Sequence, residues 1–244
     1  MKLSFVIPAY NEENLIGRCL GSVLEQTAGR FCDIEIIVVN NASSDKTKEI
    51  ASSFSNVIVI DESRKGLVSA RRTGYLRSKG DLIANIDADT ILTPGWIDKI
   101  FKEFADNENL AALSGPHVFY DLSAVLNFWV IFYYRLAFMS YLLNRFVFKI
   151  GSMLQGGNFV VRRSAIEKIG GFNSKFDFWG EDADLAGRLN KVGDVKFTFK
   201  LPIYASGRRI KSEGALKIFW KYSINYFWTI FFNKPFNKKY MDIR

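Results

Sequence analysis

Ile34-Glu-Ile-Ile-Val-Val39, followed at once by Asn40-Asn-Ala-Ser-Ser-Asp45, decides the fold class. The first six residues are β-branched and almost wholly apolar, as in a parallel strand covered on both faces. The polar run after them reads as a turn, with Asp45 placed to cap a helix over Lys46 to Phe54. The same order recurs on either side. Upstream, Leu3-Ser-Phe-Val-Ile-Pro8 is a short apolar run closed by a proline. Glu12 to Gln26 then carries Leu15, Ile16, Cys19, Leu20, Val23 and Leu24 at helical spacing. Downstream come a strand at Val57–Ile60, a helix over Leu67–Lys79, a strand across Asp81–Asp87 and a helix over Ile97–Phe104. This alternation predicts an α/β fold: a mostly parallel, doubly wound sheet flanked by helices, with ligands at the C-terminal strand ends.

A chain of 244 residues suits one such domain with an appendage. Two cysteines and one histidine exclude a disulfide framework and argue against zinc. Cys19 and Cys32 read as packing residues. After Gly115 the pattern changes, with an aromatic-rich helical insertion across Val118 to Ile150. Gly156-Gly157-Asn158, a strand at Phe159–Arg162, a helix over Ser164–Ile169 and a loop entering a helix at Trp179–Asn190 complete the body. The expected division is 1–115 as a donor-binding half, 116–207 as the acceptor and catalytic half, and 208–244 as a tail.

The formal charge of +8 belongs to that tail. Residues 208–244 hold nine Lys or Arg against Glu213 and Asp242, leaving the preceding body almost neutral. Phe219, Trp220, Tyr222, Tyr226, Phe227, Trp228, Phe231 and Phe232 are threaded among those charges. A basic stripe alone would suit nucleic acid. One this aromatic reads as an amphipathic helix on an anionic membrane surface, with no nucleic acid partner. Neither Val125–Leu143, interrupted by Asn127 and Arg135, nor Ala215–Phe232 is an unbroken apolar run of spanning length. The opening strand lacks the order of a signal peptide. The expectation is a cytoplasmic protein, peripheral on the inner face of the membrane.

Four features carry chemistry. Asp87-Ala88-Asp89 directly follows an apolar strand, where two carboxylates can share a hard divalent cation with phosphates. The plainer reading is a strand-end turn. Pro8-Ala9-Tyr10-Asn11-Glu12 follows the first strand; Asn11 can cap a helix, while Tyr10 offers a flat face to a base and Glu12 a carboxylate to ribose or base. In Gly66-Leu-Val-Ser-Ala-Arg71-Arg72-Thr-Gly74 two adjacent arginines cannot both face the core, and either can clamp a diphosphate. Trp179-Gly180-Glu181-Asp182-Ala183-Asp184 places three acids in four residues, more than a helix start needs, so one is available as a general base. His117 is a lone candidate near metal or diphosphate.

These features together resemble the family 2 glycosyltransferases, nucleotide-sugar-dependent enzymes of the GT-A fold. The resemblance runs through Ile7–Glu12, Val39–Asp45, Ala70-Arg71, Asp87–Asp89, Gly156–Asn158, Gly170-Gly-Phe172 and Glu181-Asp182. It implies a donor site of Pro8, Tyr10, Glu12, Asn41, Arg71, Asp87, Ala88 and Gly157. Tyr10 packs on the base, and Asn41 stands where the family usually reads the base edge with Asp. Asp89, with Asp87, is implied as the ligand of Mg2+ or Mn2+ on the diphosphate, and Gly157 as the place where backbone nears the sugar. Asp182 is the implied base of an inverting transfer to an acceptor hydroxyl of a lipid-linked or cell-envelope glycan, with Glu181 the second choice. The Q-x-x-R-W block of processive synthases is absent, so one sugar per turnover is expected.

Two alternatives stay open. A polyprenyl-phosphate glycosyltransferase shares the N-terminal half but attacks with an acceptor that is already an anion. A non-catalytic nucleotide- or membrane-binding protein would need neither Asp89 nor Asp182. Hydride transfer is disfavoured, since no G-x-G-x-x-G follows the first strand.

Overall fold

The computed structural model describes residues 1–29, 33–143, 147 and 153–237. Cys32 and the last residues of the expected insertion and tail lie outside that set. The N-terminal part contains β1 (Leu3–Ala9), α1 (Ile16–Thr27), β2 (Ile34–Asn40), α2 (Thr47–Ser52), β3 (Val57–Asp61), α3 (Leu67–Arg77) and β4 (Leu82–Ile86). β5 (Ile91–Leu92), α4 (Trp96–Asp106), β6 (Leu110–Ser114) and β7 (His117–Phe119) lead to the long α5 (Ala124–Leu143). β8 (Asn158–Arg162), α6 (Arg163–Lys168), α7 (Glu181–Leu189), β9 (Asp194–Phe197) and β10 (Ile203–Ala205) follow, then α8 (Arg208–Glu213) and α9 (Ala215–Phe232).

The main sheet runs β3-β2-β1-β4-β8-β6-β9. All neighbours are parallel except β8, which is antiparallel to both β4 and β6. β5, β10 and β7 form a small second sheet. The chain winds one way from β1 through β2 to β3, then crosses back to place β4 on the other side of β1. That reversal opens a crevice beyond the carboxyl ends of β1 and β4, where an open α/β sheet takes its ligand.

Period-two alternation in β1 builds two cores at once. Leu3, Phe5 and Ile7 pack with Ile16, Leu20, Trp96, Ile100 and Phe104 on one face. Val6, on the other, joins Val39, Ile83, Phe159, Leu185 and Leu189. Each such side chain, fully withdrawn from water, stabilises the fold by roughly 1.5–3 kcal/mol. A third cluster joins α5 to the C-terminal helices through Val130, Tyr134, Phe197, Ile210 and Ile218. The rings of Tyr133 and Phe219 stack at 4.7 Å across this junction.

Two expectations about the first helix are corrected. It begins at Ile16, not Glu12, and Asn11 does not cap it. Asn11 sits at φ 50° and its amide oxygen accepts from Ser44 N at 2.9 Å. The Glu12 N–H donates to Thr47 Oγ1 at 2.7 Å. These bonds stitch the loop after β1 to the loop after β2, and helical geometry starts only once that tie is made. The second helix begins at Thr47, with Lys46 rather than Asp45 at its N-cap, and Asp45 accepts from Thr47 N at 3.0 Å from one residue earlier.

Candidate active site

A cavity of about 490 Å³ opens at the crevice, and its polar end is lined by Pro8, Glu12, Arg71, Asp87, Ala88, Asp89, Glu181, Asp182 and Arg208. Residues separated by more than a hundred positions meet here because β1, β4 and the start of α7 end side by side. Tyr10, Asn41 and Gly157 do not line the cavity itself. Lys65 Nζ lies 3.8 Å from the Tyr10 ring centroid, so a cation covers the flat face expected to receive a base.

Asn41 is almost fully buried. Its amide nitrogen donates to the carbonyls of Glu62 (3.1 Å) and Arg64 (2.9 Å), and its oxygen accepts from Gly66 N (2.8 Å). The amide thus fixes the 62–66 loop beside the site. An aspartate could accept from Gly66 but would have no donor for the two carbonyls.

Arg71 and Arg72 divide as the helical geometry requires, Arg72 exposed and Arg71 buried. The Arg71 guanidinium pairs with Glu181 through Nη1 and with Asp87 Oδ1 through Nη2 at 3.2 Å. It lies 5.3 Å from the Phe159 ring centroid. A buried arginine thus ties the acid of the fourth strand end to the acid pair of α7. Glu181 is 6% exposed, and its Oε2 has no partner among the described residues. Burial pushes its carboxyl up to about 7, against the opposing pull of Arg71. Burial also raises the Asp182 carboxyl above its ordinary value, although the N–H groups of Ala183 and Gly156 donate to it. Asp182 is the more accessible of the two.

Gly157 packs directly against Asp87. At φ 78° its missing Cβ would sit 2.1 Å from Asp87 Oδ2, so the glycine makes room for that carboxylate. His117 is buried against the same neighbourhood. Its backbone N–H donates to the Tyr134 hydroxyl at 3.2 Å, and its Nε2 has no partner among the described residues. Burial lowers its imidazole below the usual value.

The tail supplies residues that the sequence reading did not place here. Arg208 Nη1 donates to Glu12 Oε2 at 2.9 Å, Nη2 to Glu12 Oε1, and Nη2 lies 3.2 Å from Asp89 Oδ2. Arg209 pairs with Glu213 at 3.3 Å and lies 4.8 Å from the Phe178 ring centroid. The expected boundary after residue 207 therefore falls one residue before a side chain of the site. The signal available in the sequence was position: Arg208-Arg209 follows a strand end, as Asp87–Asp89 does. Beyond the acids the cavity continues between α5 and α9, along Val130, Tyr133, Ala137, Ile218, Phe219 and Tyr222.

Lining the cavity are five carboxylates, Glu12, Asp87, Asp89, Glu181 and Asp182, against three arginines, Arg71, Arg208 and Arg209. That excess of acid fits a divalent cation in kind. Among the described residues no group of three His, Cys, Asp or Glu is arranged as a complete metal site. A cation held by Asp87 and Asp89 would take its remaining ligands from diphosphate oxygens and water, the ordinary habit of Mg2+.

The doubly wound, mostly parallel sheet with its flanking helices matches solved glycosyltransferases of the GT-A fold. Residues 4–170 match the family model described as Glycosyl transferase family 2, and the chain belongs to that family. Residues 142–204 also match the model described as the N-terminal domain of galactosyltransferase. The chain is 32% identical over 202 residues to the probable glycosyltransferase YdaM of Bacillus subtilis, 79% of this chain and 47% of the relative. It is 28% identical over 134 residues to the glycosyltransferase GlyA of Streptococcus pneumoniae, covering 53% of this chain and 19% of that protein. The chain thus spans less than half of either relative's length. The fold resembles that of the mannosyltransferase PcManGT of Pyrobaculum calidifontis, solved with GDP-Man and Mn2+ (TM-score 0.70, 18% identity, 93% of this chain and 63% of that one). It also resembles S. aureus TarS 1-349 in complex with UDP-GlcNAc (TM-score 0.63, 16% identity, 85% and 59%).

Proposed function

We propose that the chain is an inverting glycosyltransferase that moves one sugar from a nucleotide-diphosphate sugar to an acceptor hydroxyl. The observation that carries this reading is the Arg71 bridge, which brings the acid pair of α7 to the donor-side Asp87 in one cavity. Asp182 takes the proton of the acceptor hydroxyl, whose oxygen bonds to the anomeric carbon as the bond to the diphosphate breaks on the opposite face. Glu181, held by Arg71, positions the acceptor. Asp87 faces the ribose or a metal-bound water, and Tyr10 receives the base once Lys65 gives up its ring. A Mg2+ or Mn2+ ion on Asp89 and Asp87 would supply Lewis-acid stabilisation of the departing diphosphate.

The acceptor is a lipid-linked or cell-envelope glycan. Supporting this, the cavity continues between two helices with exposed apolar faces: Phe128, Trp129, Ile131 and Phe132 on α5, and Leu216, Trp220, Phe231 and Phe232 on α9. α5 is also long and apolar enough, by length and composition, to cross a membrane. We read both helices as resting on a bilayer, with Arg135, Lys217 and Lys234 exposed for its anionic headgroups. A thermal-shift screen of UDP-, GDP- and dTDP-sugars with and without Mn2+ tests the donor reading. One nucleotide sugar should raise the melting temperature in a Mn2+-dependent way. A flat response to all of them would leave the non-catalytic alternative standing. Transfer to bare polyprenyl phosphate, undiminished by Asp182→Asn, would overturn the role given to that residue.

A further inference from the structure

We infer that Arg208 is the counter-charge of the metal site in the donor-free protein, and that it and a divalent cation exclude each other at Asp89. This rests on the metal-dependent reading above and deepens it. Three observations support it. The guanidinium takes both oxygens of the Glu12 carboxylate and lies 3.2 Å from Asp89 Oδ2. Glu12 is 3% exposed and Asp89 only partly exposed, so water screens this charge cluster weakly. Asp87, the other candidate ligand, is already turned toward a different arginine, Arg71.

Each candidate metal carboxylate therefore carries its own guanidinium, but the two arginines are not equivalent. Arg71 is 1% exposed and locked between Glu181 and Asp87. Arg208 is about a quarter exposed and begins the short α8, directly after the loop Ser206-Gly207. A dication arriving at Asp89 puts two positive charges where one stood, and the group free to yield is Arg208. Its fork then faces the cavity, where a diphosphate presents oxygens in the geometry a guanidinium binds in pairs. Arg208 moves from carboxylate to phosphate as the cation and donor enter together. Because α8 runs into α9, the same movement reaches Ile210, Ile218 and Phe219 on the acceptor side of the cavity.

The test is Mn2+ binding to the nucleotide-free full chain, followed by electron paramagnetic resonance of the free ion. Arg208→Gln should bind Mn2+ about tenfold more tightly than the wild type, about 1.4 kcal/mol, while Arg208→Lys, which keeps the charge, should bind near the wild-type level. With Mn2+ saturating, UDP should bind Arg208→Gln about tenfold more weakly, as the phosphate loses its guanidinium. Arg208→Gln leaves Glu12 buried without its partner, so the double variant Glu12→Gln/Arg208→Gln is measured beside it with a melting curve. That variant removes both charges, leaves Asp89 in place and should also bind Mn2+ more tightly than the wild type. Mn2+ affinity indifferent to residue 208 in the folded variants overturns this inference and leaves the proposed transferase intact. No Mn2+ binding by any variant overturns it together with the metal-dependent reading.

Discussion

Asp182 and Glu181 are neighbours in sequence, yet their surroundings give them different work. Glu181 is enclosed with Arg71, whereas Asp182 keeps access to the cavity. Asp182→Asn is expected to lower transfer about 100- to 10,000-fold while leaving the thermal shift from the nucleotide sugar in place. Because burial raises the Asp182 carboxyl and the base works ionised, kcat/KM should fall on the acid side at a pH above the ordinary Asp value of 3.8. Glu181 has a separate signature in stability. Its folded value, about 7 against an ordinary 4.5, means that the native state holds the proton more tightly than the unfolded chain. That stabilisation is present below about 4.5 and is lost as pH rises through about 7. Glu181→Gln should flatten the dependence of melting temperature on pH across that window, and an unchanged slope would count against the assignment. Arg71→Ala strands Glu181 and Asp87 beside each other and should cost about 3–5 kcal/mol of stability, read by denaturant unfolding. The acids and Arg71 were legible from residue type and spacing. Their pairing was not, because Arg71 and Glu181 are 110 positions apart and only the folded sheet brings them together.

Elements were legible where a hydrophobic period is long and uninterrupted. β1, β2 and β4 are buried along their whole length or nearly so, and an apolar run signals that directly. The start of α1 was misread because side chains from another loop claim the Asn11 and Glu12 groups, and nothing local in Glu12–Leu15 announces a partner at Thr47 or Arg208. Gly157, expected where backbone nears the sugar, packs in the fold against the Asp87 carboxylate. Gly157→Ala meets both a left-handed φ and a carboxylate, so it should destabilise the protein by about 2 kcal/mol or more. It should also weaken Mn2+ binding, because the displaced group is Asp87. Normal metal affinity in the folded Gly157→Ala protein would show that the Asp87 position tolerates the push. Gly180, at φ 77°, plays a comparable part where α7 meets α9, since a Cβ there would fall 2.2 Å from Thr229 Oγ1.

At the scale of the molecule, α5 and α9 combine two roles that composition alone presented as one. Their inner faces wall the cavity, while Phe128, Trp129, Trp220 and Phe231 point outward. Replacing Trp129 and Trp220 with serine should release the protein from anionic vesicles in a sedimentation assay and leave the donor-induced thermal shift unaltered. Loss of both together would mean that the helices serve the fold rather than a surface. The basic tail was legible as a charge, but not as the source of a site residue, because the first of its arginines turns inward. The place of β8 has a further consequence for how the chain is made. It lies between β4 and β6, and the neighbours of β6 in the main sheet are β8 and β9. When β6 leaves the ribosome neither partner exists, since β8 begins at Asn158 and β9 at Asp194. At about 5–20 residues per second, the four parallel strands β3-β2-β1-β4 can assemble seconds before β8 arrives to cover the free edge of β4. A chain cut near Gly115 would keep that edge open and leave β6 without either neighbour. Such a fragment is expected to scatter light as an aggregate rather than bind nucleotide as an independent half.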